Sequence, residues 1–441
     1  MNDFVVEQLD EDRYARTTMF KLVARKKQIE TPSGGITIRT PHEAGAYAGF
    51  KLNYASPHLN VITAELVNAS KTTMPFREQS LEFFTGHPKG ALAPVIDNSV
   101  MMVDACTEYP HYDREDKLED IVDSPQIPSL HRRHAKKVLE LKRTLYERDK
   151  EEYNDAKADA EYLYWNSIDT RASIRASYIE ETFTNERLAG GDYGIPPAPV
   201  VTSRWTLEVA ERMNDLSKSL WAGRYPCATY FACDPAILEE PPIVDSLVSY
   251  LKSIAPTNGD SDVVAFKFKE FNVTHAESKA AQRTGLGEFL TKIRQLKKGN
   301  SRRLFIVIDA GLQAYPMLVA GFDVVVTSFT GHIDESRFSR AKENKGWGGY
   351  YDPKRMIHVK FSRELELSKL CACLVCEPVT NLRAITKDFW NFLVTRPHFA
   401  LTLNGYASEV KRLIVERNIQ EARRVLEASD ISNLKSLIPD M

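Results

Sequence analysis

RRLFIVIDAGLQAYPMLVAGFDVVV, residues 302–326, decides the fold of this chain, because it places two apolar β-branched runs on either side of a short helical pattern. The runs LFIVI and DVVV do not alternate regularly between apolar and polar residues, which is typical of strands buried on both faces. Two such strands joined by a helix form a right-handed βαβ unit with parallel strands. The stretch therefore predicts a parallel sheet covered by helices.

The same alternation of strand and helix patterns recurs along most of the 441 residues. Strand patterns occur at residues 34–40, 60–67, 93–97, 227–233, 262–271 and 322–329. Helical patterns occur at residues 41–50, 241–254 and 285–299. Within the α/β class, this number of βαβ units favours a (β/α)8 TIM barrel over an open sheet.

Residues 111–195 differ in composition from the rest. Basic and acidic residues are mixed there at helical spacing, with few prolines or glycines, so we predict a helical insertion of one or two long, largely exposed helices. The insertion is either a solvated spacer or an arm that binds nucleic acid or a partner protein. Its acidic residues, interleaved with the basic ones, argue against binding to phosphates. The predicted organisation is an amino-terminal barrel part at 1–110, the insertion at 111–195, a second barrel part at 196–345, and a zinc-binding subdomain with carboxyl-terminal helices at 346–441.

The composition of the chain argues against a polycationic, a membrane-spanning and a secreted protein. The chain has 58 basic and 60 acidic residues, so it is not a polycation, although a basic groove is compatible with a balanced total. No stretch of about 18 apolar residues predicts a membrane span. The amino-terminal residues lack the apolar run of a signal peptide, and only six cysteines are present, so we expect a reducing, cytoplasmic setting.

Three of the six cysteines, Cys371, Cys373 and Cys376, lie within six positions of the stretch KLCACLVCEPV. In a reducing compartment, thiols this close together are typical of a metal site, and zinc takes four tetrahedral ligands from cysteine and histidine. His398, 22 positions beyond Cys376 at the start of an apolar helical pattern, is the candidate fourth ligand. The alternative is that the thiols are small core residues and that His398 is a helix-capping or half-buried histidine.

This cysteine cluster, placed after the last predicted barrel strand and followed by a histidine that opens a helix, resembles the zinc site of the tRNA-guanine transglycosylase superfamily. The match runs from Cys371 through HFALTLNGYASEVKRLI, residues 398–414. Weaker similarity to the same family lies at residues 29–50, 87–100, 200–213, 302–326 and 347–361. The spacing to the histidine is a few residues shorter than is usual in the family, so the intervening loop is shortened.

The resemblance implies an enzyme that exchanges a guanine in a polynucleotide for a 7-deazaguanine base, through a covalent aspartyl-sugar intermediate. It implies one structural Zn²⁺ and a target nucleotide that is flipped into the barrel. The implied partners are a nucleic acid, DNA or tRNA, a free base of the preQ0, preQ1 or queuine type, and a homo- or heterodimer partner. The chain departs from the family's sequence motifs around the active site but keeps the zinc motif, so the resemblance favours a divergent branch of the family. DNA is slightly preferred to tRNA as the polymer that is modified.

The catalytic residues are carried over from the family position by position. HPKGALAPVIDNSV resembles the segment that bears the general acid/base, which makes Asp97 that residue. The family's nucleophilic aspartate aligns with Val326, so the nucleophile is expected at Asp323 first and Asp309 second, near the predicted mouth of the barrel. Alternatively, Asp323 is a solvated strand-entry residue and Asp309 a loop or helix-capping residue.

Four further residues are candidates for binding the base. Asp104, in VMMVDACTEYP, resembles the family's base-reading aspartate, and Asp192 takes that role if Asp97 is the acid. Met101 stands where a base-stacking phenylalanine is expected, although a methionine is more often a core residue. Asp234 replaces a glutamine region and either accepts hydrogen bonds from the base or caps a helix.

A catalytically silent subunit is the second hypothesis, since Val326 replaces the family's nucleophile. Such a subunit keeps the barrel and zinc in order to dimerise with an active partner or to position its substrate. A zinc-bearing barrel that acts on small molecules is a third hypothesis, which the resemblance to polynucleotide enzymes disfavours.

Overall fold

The computed structural model of the chain describes most of residues 100–441 and shorter parts of residues 1–99. The described residues are 5–11, 18–24, 27–38, 59–63, 80–81, 90–91, 100–104, 114–124, 127–254, 262–268, 280–299, 303–328, 349–360, 371–377, 388–418 and 420–437. The strand pattern at 93–97 and the helical pattern at 41–50 lie outside these ranges.

The secondary structure within these ranges alternates between strands and helices. The strands are β1 (Val5–Glu11), β2 (Thr18–Ala24), β3 (Lys27–Glu30), β4 (Ser33–Ile38), β5 (Leu59–Thr63), β6 (Ser80–Leu81), β7 (Gly90–Ala91), β8 (Val100–Asp104), β9 (Tyr193–Gly194), β10 (Val200–Val201), β11 (Thr229–Cys233), β12 (Asp262–Phe268), β13 (Arg303–Ile308), β14 (Val324–Ser328), β15 (Gly349–Asp352) and β16 (Ile357–Lys360). The α-helices are α1 (Glu115–Asp123), α2 (Ser129–Leu145), α3 (Lys150–Thr170), α4 (Ala172–Leu188), α5 (Arg204–Trp221), α6 (Pro241–Ser253), α7 (Ala280–Gly299), α8 (Ala314–Ala320), α9 (Asp388–Val415) and α10 (Gln420–Glu427). Short 3-10 helices lie at Pro235–Glu239, Gly311–Gln313 and Ser432–Leu437.

Nine strands form one all-parallel sheet in the order β10-β11-β12-β13-β14-β4-β5-β8-β9. Neighbours follow chain order except where β14 lies beside β4, so the last strand of this sheet joins the first. The sheet therefore curls back on itself, with helices between its strands, as the α/β prediction requires. At this junction, a Cβ on Gly35 would lie 1.8 Å from the carbonyl oxygen of Leu59, so a larger residue does not fit without a shift of the backbone.

The two edges of the curled sheet, β9 and β10, are only two residues long. An isolated parallel bridge joins Gly194 of β9 to Cys227, just ahead of β11. The Gly194 N–H donates to the Pro226 carbonyl at 2.9 Å, and the Ala228 N–H donates to the Gly194 carbonyl at 3.0 Å. The β9 edge is therefore tied to β11, which is the neighbour of the β10 edge.

Side chains on the two faces of the curled sheet pack into different cores. The inner face fills a core of strand and loop residues that includes Val100, Met102, Val263, Ala265, Ile306 and Val326. The outer face packs against the helices through residues such as Met101, Val103, Phe266 and Phe305. Because side chains alternate along a strand, Asp104 of β8 and Lys267 of β12 belong to the inner-face series.

The segment between β8 and β9 is helical, as predicted, but its described part forms four helices, α1 to α4, rather than one or two. Trp165 of α3 and Tyr178 and Phe183 of α4 are buried in the same core as Trp221 of α5. The prediction of largely exposed helices missed this layer, because the aromatic residues are scattered among charged ones. The helices α1 and α2 pack on each other through a smaller separate cluster.

The helix α9 connects the carboxyl-terminal region to the curled sheet. It packs along β4, where a Cβ built on Gly34 would lie 3.0 Å from the Cβ of Leu403. Lys411 near its end pairs with Glu30 of β3 at 2.7 Å. The antiparallel hairpin of β15 and β16 packs against the same helix. The predicted helix at 398–414 is thus confirmed as part of α9, which begins ten residues earlier, at Asp388, so His398 does not open the helix. Among the helices of the described ranges, none combines the length and apolar character needed to cross a bilayer.

Candidate functional site

Three cysteine thiols and one imidazole converge between the β15–β16 hairpin and α9. The Sγ atoms of Cys371, Cys373 and Cys376 lie 3.2, 3.4 and 3.4 Å from Nδ1 of His398. All four ligand atoms lie within 4.8 Å of one another. These residues, referred to below as the Cys3His cluster, can hold a metal ion, as the motif predicted.

The spacing of the four atoms fits a tetrahedral ion. Metal–sulfur and metal–nitrogen bonds of about 2.3 and 2.0 Å give sulfur–nitrogen edges of about 3.5 Å in a regular tetrahedron. The observed edges of 3.2 to 3.4 Å are close to this value. His398 and Cys376 are buried, and Cys371 and Cys373 are half-buried, so the cluster is held within the fold rather than on its surface.

The hairpin fixes the orientation of His398. Its Nε2–H donates to the backbone carbonyl of Tyr351 at 2.7 Å, which leaves Nδ1 as the atom available to a metal. The Tyr350 ring stacks on the imidazole with centroids 4.5 Å apart, and its hydroxyl accepts from the Cys371 N–H at 2.8 Å. Consecutive residues of β15 therefore hold both the histidine and the cysteine turn.

A second group of polar side chains meets at the carboxyl-terminal edge of the curled sheet. Lys267 of β12 contacts two carboxylates, because its Nζ lies 3.5 Å from Oδ2 of Asp104 and 3.5 Å from Oδ2 of Asp309. The Tyr230 hydroxyl donates to Asp104 Oδ2 at 3.3 Å, and the Thr37 hydroxyl donates to Asp309 Oδ1 at 2.9 Å. These five residues are referred to below as the sheet-edge cluster.

The charged members of the sheet-edge cluster are buried and close to a position where ligands bind. Asp104 is 2% exposed, Asp309 7% and Lys267 8%. Asp309, which directly follows β13, has a φ of 60°, in the left-handed region that non-glycine residues rarely adopt and that is enriched at functional sites. Parallel α/β proteins bind ligands at the carboxyl ends of their strands. This edge is therefore the candidate substrate position.

Asp323, the first-ranked candidate nucleophile, lies at the opposite, amino-terminal edge of the sheet. It directly precedes β14; its Oδ1 accepts from Lys297 Nζ at 2.6 Å and its Oδ2 from the Phe305 N–H at 2.8 Å. Burial raises the pKa of the Asp323 carboxyl, and the Lys297 ammonium opposes that rise. These contacts favour a structural ion pair at this position, away from Asp309 and Asp104.

Met101 and Asp192, both candidates for base binding, contact each other through the backbone of β8. The side chain of Met101 lies on the outer face, in the core shared with the helices, which is the alternative considered for it. Oδ2 of Asp192 accepts from the Met101 N–H at 2.9 Å, and the Asp192 N–H donates to the Met101 carbonyl at 2.7 Å. Asp192 thereby extends the pairing of β8 with β9.

Asp234 and Asp97 complete the set of predicted residues. Asp234 directly follows β11 and caps the 3-10 helix Pro235–Glu239, because its Oδ1 accepts from the Ala236 N–H at 2.9 Å. This is the capping role considered from the sequence. Asp97 lies outside the described residues, so its role as general acid/base stays a prediction.

Sequence reasoning missed Lys267, Tyr230 and Thr37. One signal for Lys267 was present, because the strand DVVAFKF places Val263, Ala265 and Lys267 on one face, and a cation on an otherwise apolar face is unusual. Tyr230 and Thr37 carry no comparable signal, since tyrosine and threonine are ordinary strand residues.

Comparison of the chain with known protein families and with curated proteins finds no matching family model and no matching curated protein. The likeness to the tRNA-guanine transglycosylase superfamily rests on the motifs quoted above and stays a prediction.

Proposed function

We propose that this chain is a transglycosylase-like enzyme, a pentosyltransferase that replaces guanine in a nucleic acid with a 7-deazaguanine base. The observation that carries the proposal is the meeting of two buried carboxylates, Asp104 and Asp309, at the carboxyl-terminal edge of a parallel sheet. Base exchange needs a nucleophilic carboxylate and further acidic groups around the same nucleotide. The Cys3His cluster adds support, since it carries the motif on which the family resemblance rests.

Asp309 is the proposed nucleophile. One of its carboxylate oxygens bonds to C1′ of the target nucleotide as the C1′–N9 bond breaks, and guanine leaves with a proton from Asp97, the proposed general acid. The incoming deazaguanine gives its proton to Asp97 and displaces Asp309 from C1′. Asp104 is proposed to accept hydrogen bonds from the base. Asp192, the residue expected in that role if Asp97 is the acid, accepts instead from the Met101 N–H where β8 pairs with β9. Asp309 is preferred to Asp323 because it lies at the carboxyl-terminal edge of the sheet beside Asp104 and Lys267, whereas Asp323 lies at the amino-terminal edge in an ion pair with Lys297.

We infer that the curled sheet is a closed (β/α)8 barrel in which β9 and β10 together occupy one of eight strand positions. The bridge from Gly194 to Cys227 and the pairing of β10 with β11 support this, because both short strands then lie beside β11. The pairing of β14 with β4 also supports closure, because it joins the last strand of the sheet to the first. With β9 and β10 taken as one position, the strands follow one another around the sheet in chain order.

Zinc is the proposed ion of the Cys3His cluster. Three thiolates and one imidazole are a ligand set that zinc prefers, and four protein ligands leave no open position, which gives the ion a structural role. Zinc bound there would fasten the cysteine turn and the hairpin to α9. None of the five described cysteines, these three with Cys227 and Cys233, forms a disulfide, which fits the proposed reducing, cytoplasmic setting.

The proposed partners are a nucleic acid, with DNA slightly ahead of tRNA, and a free 7-deazaguanine base such as preQ0, preQ1 or queuine. A nucleotide in a duplex must be flipped out to reach carboxylates that are buried to this degree. The nearly equal numbers of acidic and basic residues require that a local basic surface, rather than net charge, hold the backbone. A homo- or heterodimer is proposed on the resemblance alone.

Radiolabelled guanine exchange tests the proposal, with purified protein offered tRNA and duplex DNA side by side. We expect label to enter one of the two polymers. Asp309→Asn removes the nucleophile's charge with little change in size and should lower the exchange rate by about 10⁴ or more, as loss of a catalytic group does in other covalent enzymes. Asp245→Asn, which changes an exposed aspartate paired with Lys292 on the outer helices, is the matched control and should exchange at the wild-type rate.

If wild-type protein shown to contain its metal puts no label into either polymer, the proposed enzymatic activity is contradicted. That result would favour the catalytically silent subunit, which Val326 supports because its side chain fills the inner core where the family's nucleophile is expected. A silent subunit would permit exchange only together with an active partner. The reconstituted complex would then exchange equally fast with wild-type chain and with Asp309→Asn.

A further inference from the structure

Lys267 is the charged residue of the sheet-edge cluster to which the proposed mechanism gives no role. It follows Val263 and Ala265 on the inner face of β12, so its aliphatic stem continues the apolar core while its ammonium reaches the carboxyl-terminal edge. Only 8% of the residue is exposed. A buried ammonium is costly unless it is paired with opposite charge, so its position requires the two carboxylates that it contacts.

The lysine lies between two carboxylates that come from different parts of the sheet. Asp104 ends β8 and Asp309 follows β13, and three strands, β14, β4 and β5, lie between β8 and β13 in the sheet. Both Oδ2 atoms lie 3.5 Å from the same Nζ, so they can be no more than about 7 Å apart. The ammonium is therefore a shared counter-charge at the point where the curled sheet brings these strands together.

We propose that Lys267 is a positioning residue that keeps Asp309 and Asp104 ionised together and at a fixed separation. Two carboxylates that share a buried site without a counter-charge do not both ionise, because one retains a proton. A protonated Asp309 cannot attack C1′. The statement that Asp309 must be ionised to attack C1′ rests on the proposed function. The statement that Lys267 keeps both carboxylates ionised concerns the protein without substrate.

The same contacts argue against Lys267 as an amine nucleophile. An ammonium held between two carboxylates keeps its proton, and the protonated nitrogen has no free electron pair to attack a sugar carbon. The titratable groups that face Lys267 among the described residues include Asp104 from β8, Asp309 after β13 and Tyr230 from β11, whose hydroxyl contacts Asp104. The charged members of the sheet-edge cluster are the two carboxylates and the lysine.

Carbon-13 NMR of the full-length protein labelled at aspartate Cγ tests the inference directly. The two resonances are assigned by their loss in Asp104→Asn and Asp309→Asn. In Lys267→Met, which keeps the length of the side chain and removes its charge, we expect at least one of the two carboxyls to titrate about 1–3 pH units higher than in wild type. Lys267→Arg, which restores the charge, should bring the titration most of the way back.

Controls separate this effect from loss of the fold. Lys292→Met removes a lysine that pairs with the exposed Asp245 at 2.6 Å, and it should leave both carboxyl titrations where they are in wild type. Metal content and the thermal unfolding midpoint are measured for every variant. If Lys267→Met does not fold, Lys267→Gln takes its place, since it keeps hydrogen-bond donors without the charge.

Two outcomes decide the matter independently of the proposed function. If each carboxyl titrates at the same pH in the wild type and in the folded uncharged variant, the inference is overturned, whether or not the protein exchanges bases. A clear upward shift in a protein that exchanges no base supports the inference and removes the proposed function. In an active protein, Lys267→Met should lower kcat at pH 7 by about 10-fold or more with KM little changed, and kcat should recover as the pH is raised, because Asp309 then loses its proton.

Discussion

His131 shows at the scale of a single residue how burial controls charge. It is 1% exposed, and its Nδ1 and Nε2 lie 2.8 and 2.7 Å from the hydroxyls of Tyr164 and Tyr178. Burial lowers the pKa of His131 well below its usual value, and the neighbouring His134 lowers it further. The unfolded chain then binds a proton below about pH 6.5 that the folded chain does not bind, so stability falls as the pH falls, by up to about 1.4 kcal/mol per pH unit.

His131→Gln tests this dependence, because glutamine keeps a donor and an acceptor and does not titrate. Urea unfolding at pH 7.5 and 5.5 should show a larger loss of stability for the wild type than for the variant, with the difference growing toward the lower pH. Equal losses in the two proteins would mean that His131 is protonated in the folded chain. The comparison at pH 7.5 serves as the control for the cost of the substitution itself.

Individual site residues were predictable where a short motif carries the chemistry. Cys371, Cys373 and Cys376 identify themselves by thiol spacing, and the helical pattern that follows led to His398. The sequence placed Asp323 ahead of Asp309 by its nearness to the family's nucleophile position, and that ranking did not take account of the edge of the sheet at which each residue lies. One precedes β14 and the other follows β13, and only the pairing of the strands separates the two positions.

At the scale of an element, the hairpin strand β15 supports the Cys3His cluster. The hydroxyl of Tyr350 accepts from the Cys371 N–H, and its ring stacks on His398. Tyr350→Phe keeps the ring and removes the hydrogen bond, so we expect metal affinity to fall by about 10-fold, as for other residues that support metal ligands. Competition with a coloured zinc chelator measures the change.

Tyr351→Phe is the matched control for this prediction. The Tyr351 hydroxyl contacts Tyr406 at 3.0 Å, whereas it is the backbone carbonyl of Tyr351 that accepts from His398. The variant therefore keeps the contact with the metal ligand and should bind metal with wild-type affinity. Equal affinities in all three proteins would contradict the role assigned to the Tyr350 hydroxyl.

Long apolar strands were the elements easiest to predict from the sequence. Residues 303–308 form β13 and residues 324–328 form β14, and both strands begin in the stretch that first indicated the fold. The two-residue strands β9 and β10 carry no periodic signal, because two residues are too few to show an alternation. The burial of α4 was equally hidden, since its Phe183 contacts Trp221 and Tyr225, which come from α5 and the turn after it.

At the scale of the whole molecule, α9 joins the Cys3His cluster to the curled sheet. His398 lies in this helix, and Leu403, little more than one turn further along, packs against Gly34 of β4. Metal binding in small zinc domains contributes folding free energy on the order of 10 kcal/mol, so loss of the ion should loosen α9 and expose the neighbouring strand. Hydrogen exchange followed by mass spectrometry, with and without a zinc chelator, measures this effect.

We expect the amides of β4 to exchange at least about 10-fold faster after chelation, whereas those of β12, three strands away from β4 in the sheet, should change little. Cys371→Ser should reproduce the effect without chelator, which excludes an action of the chelator elsewhere. Unchanged protection of β4 in both experiments would mean that the Cys3His cluster stabilises only its own turn. The faster exchange would instead show that the metal stabilises the junction of β14 with β4, where the first and last strands of the sheet meet and the sheet-edge cluster depends on their alignment.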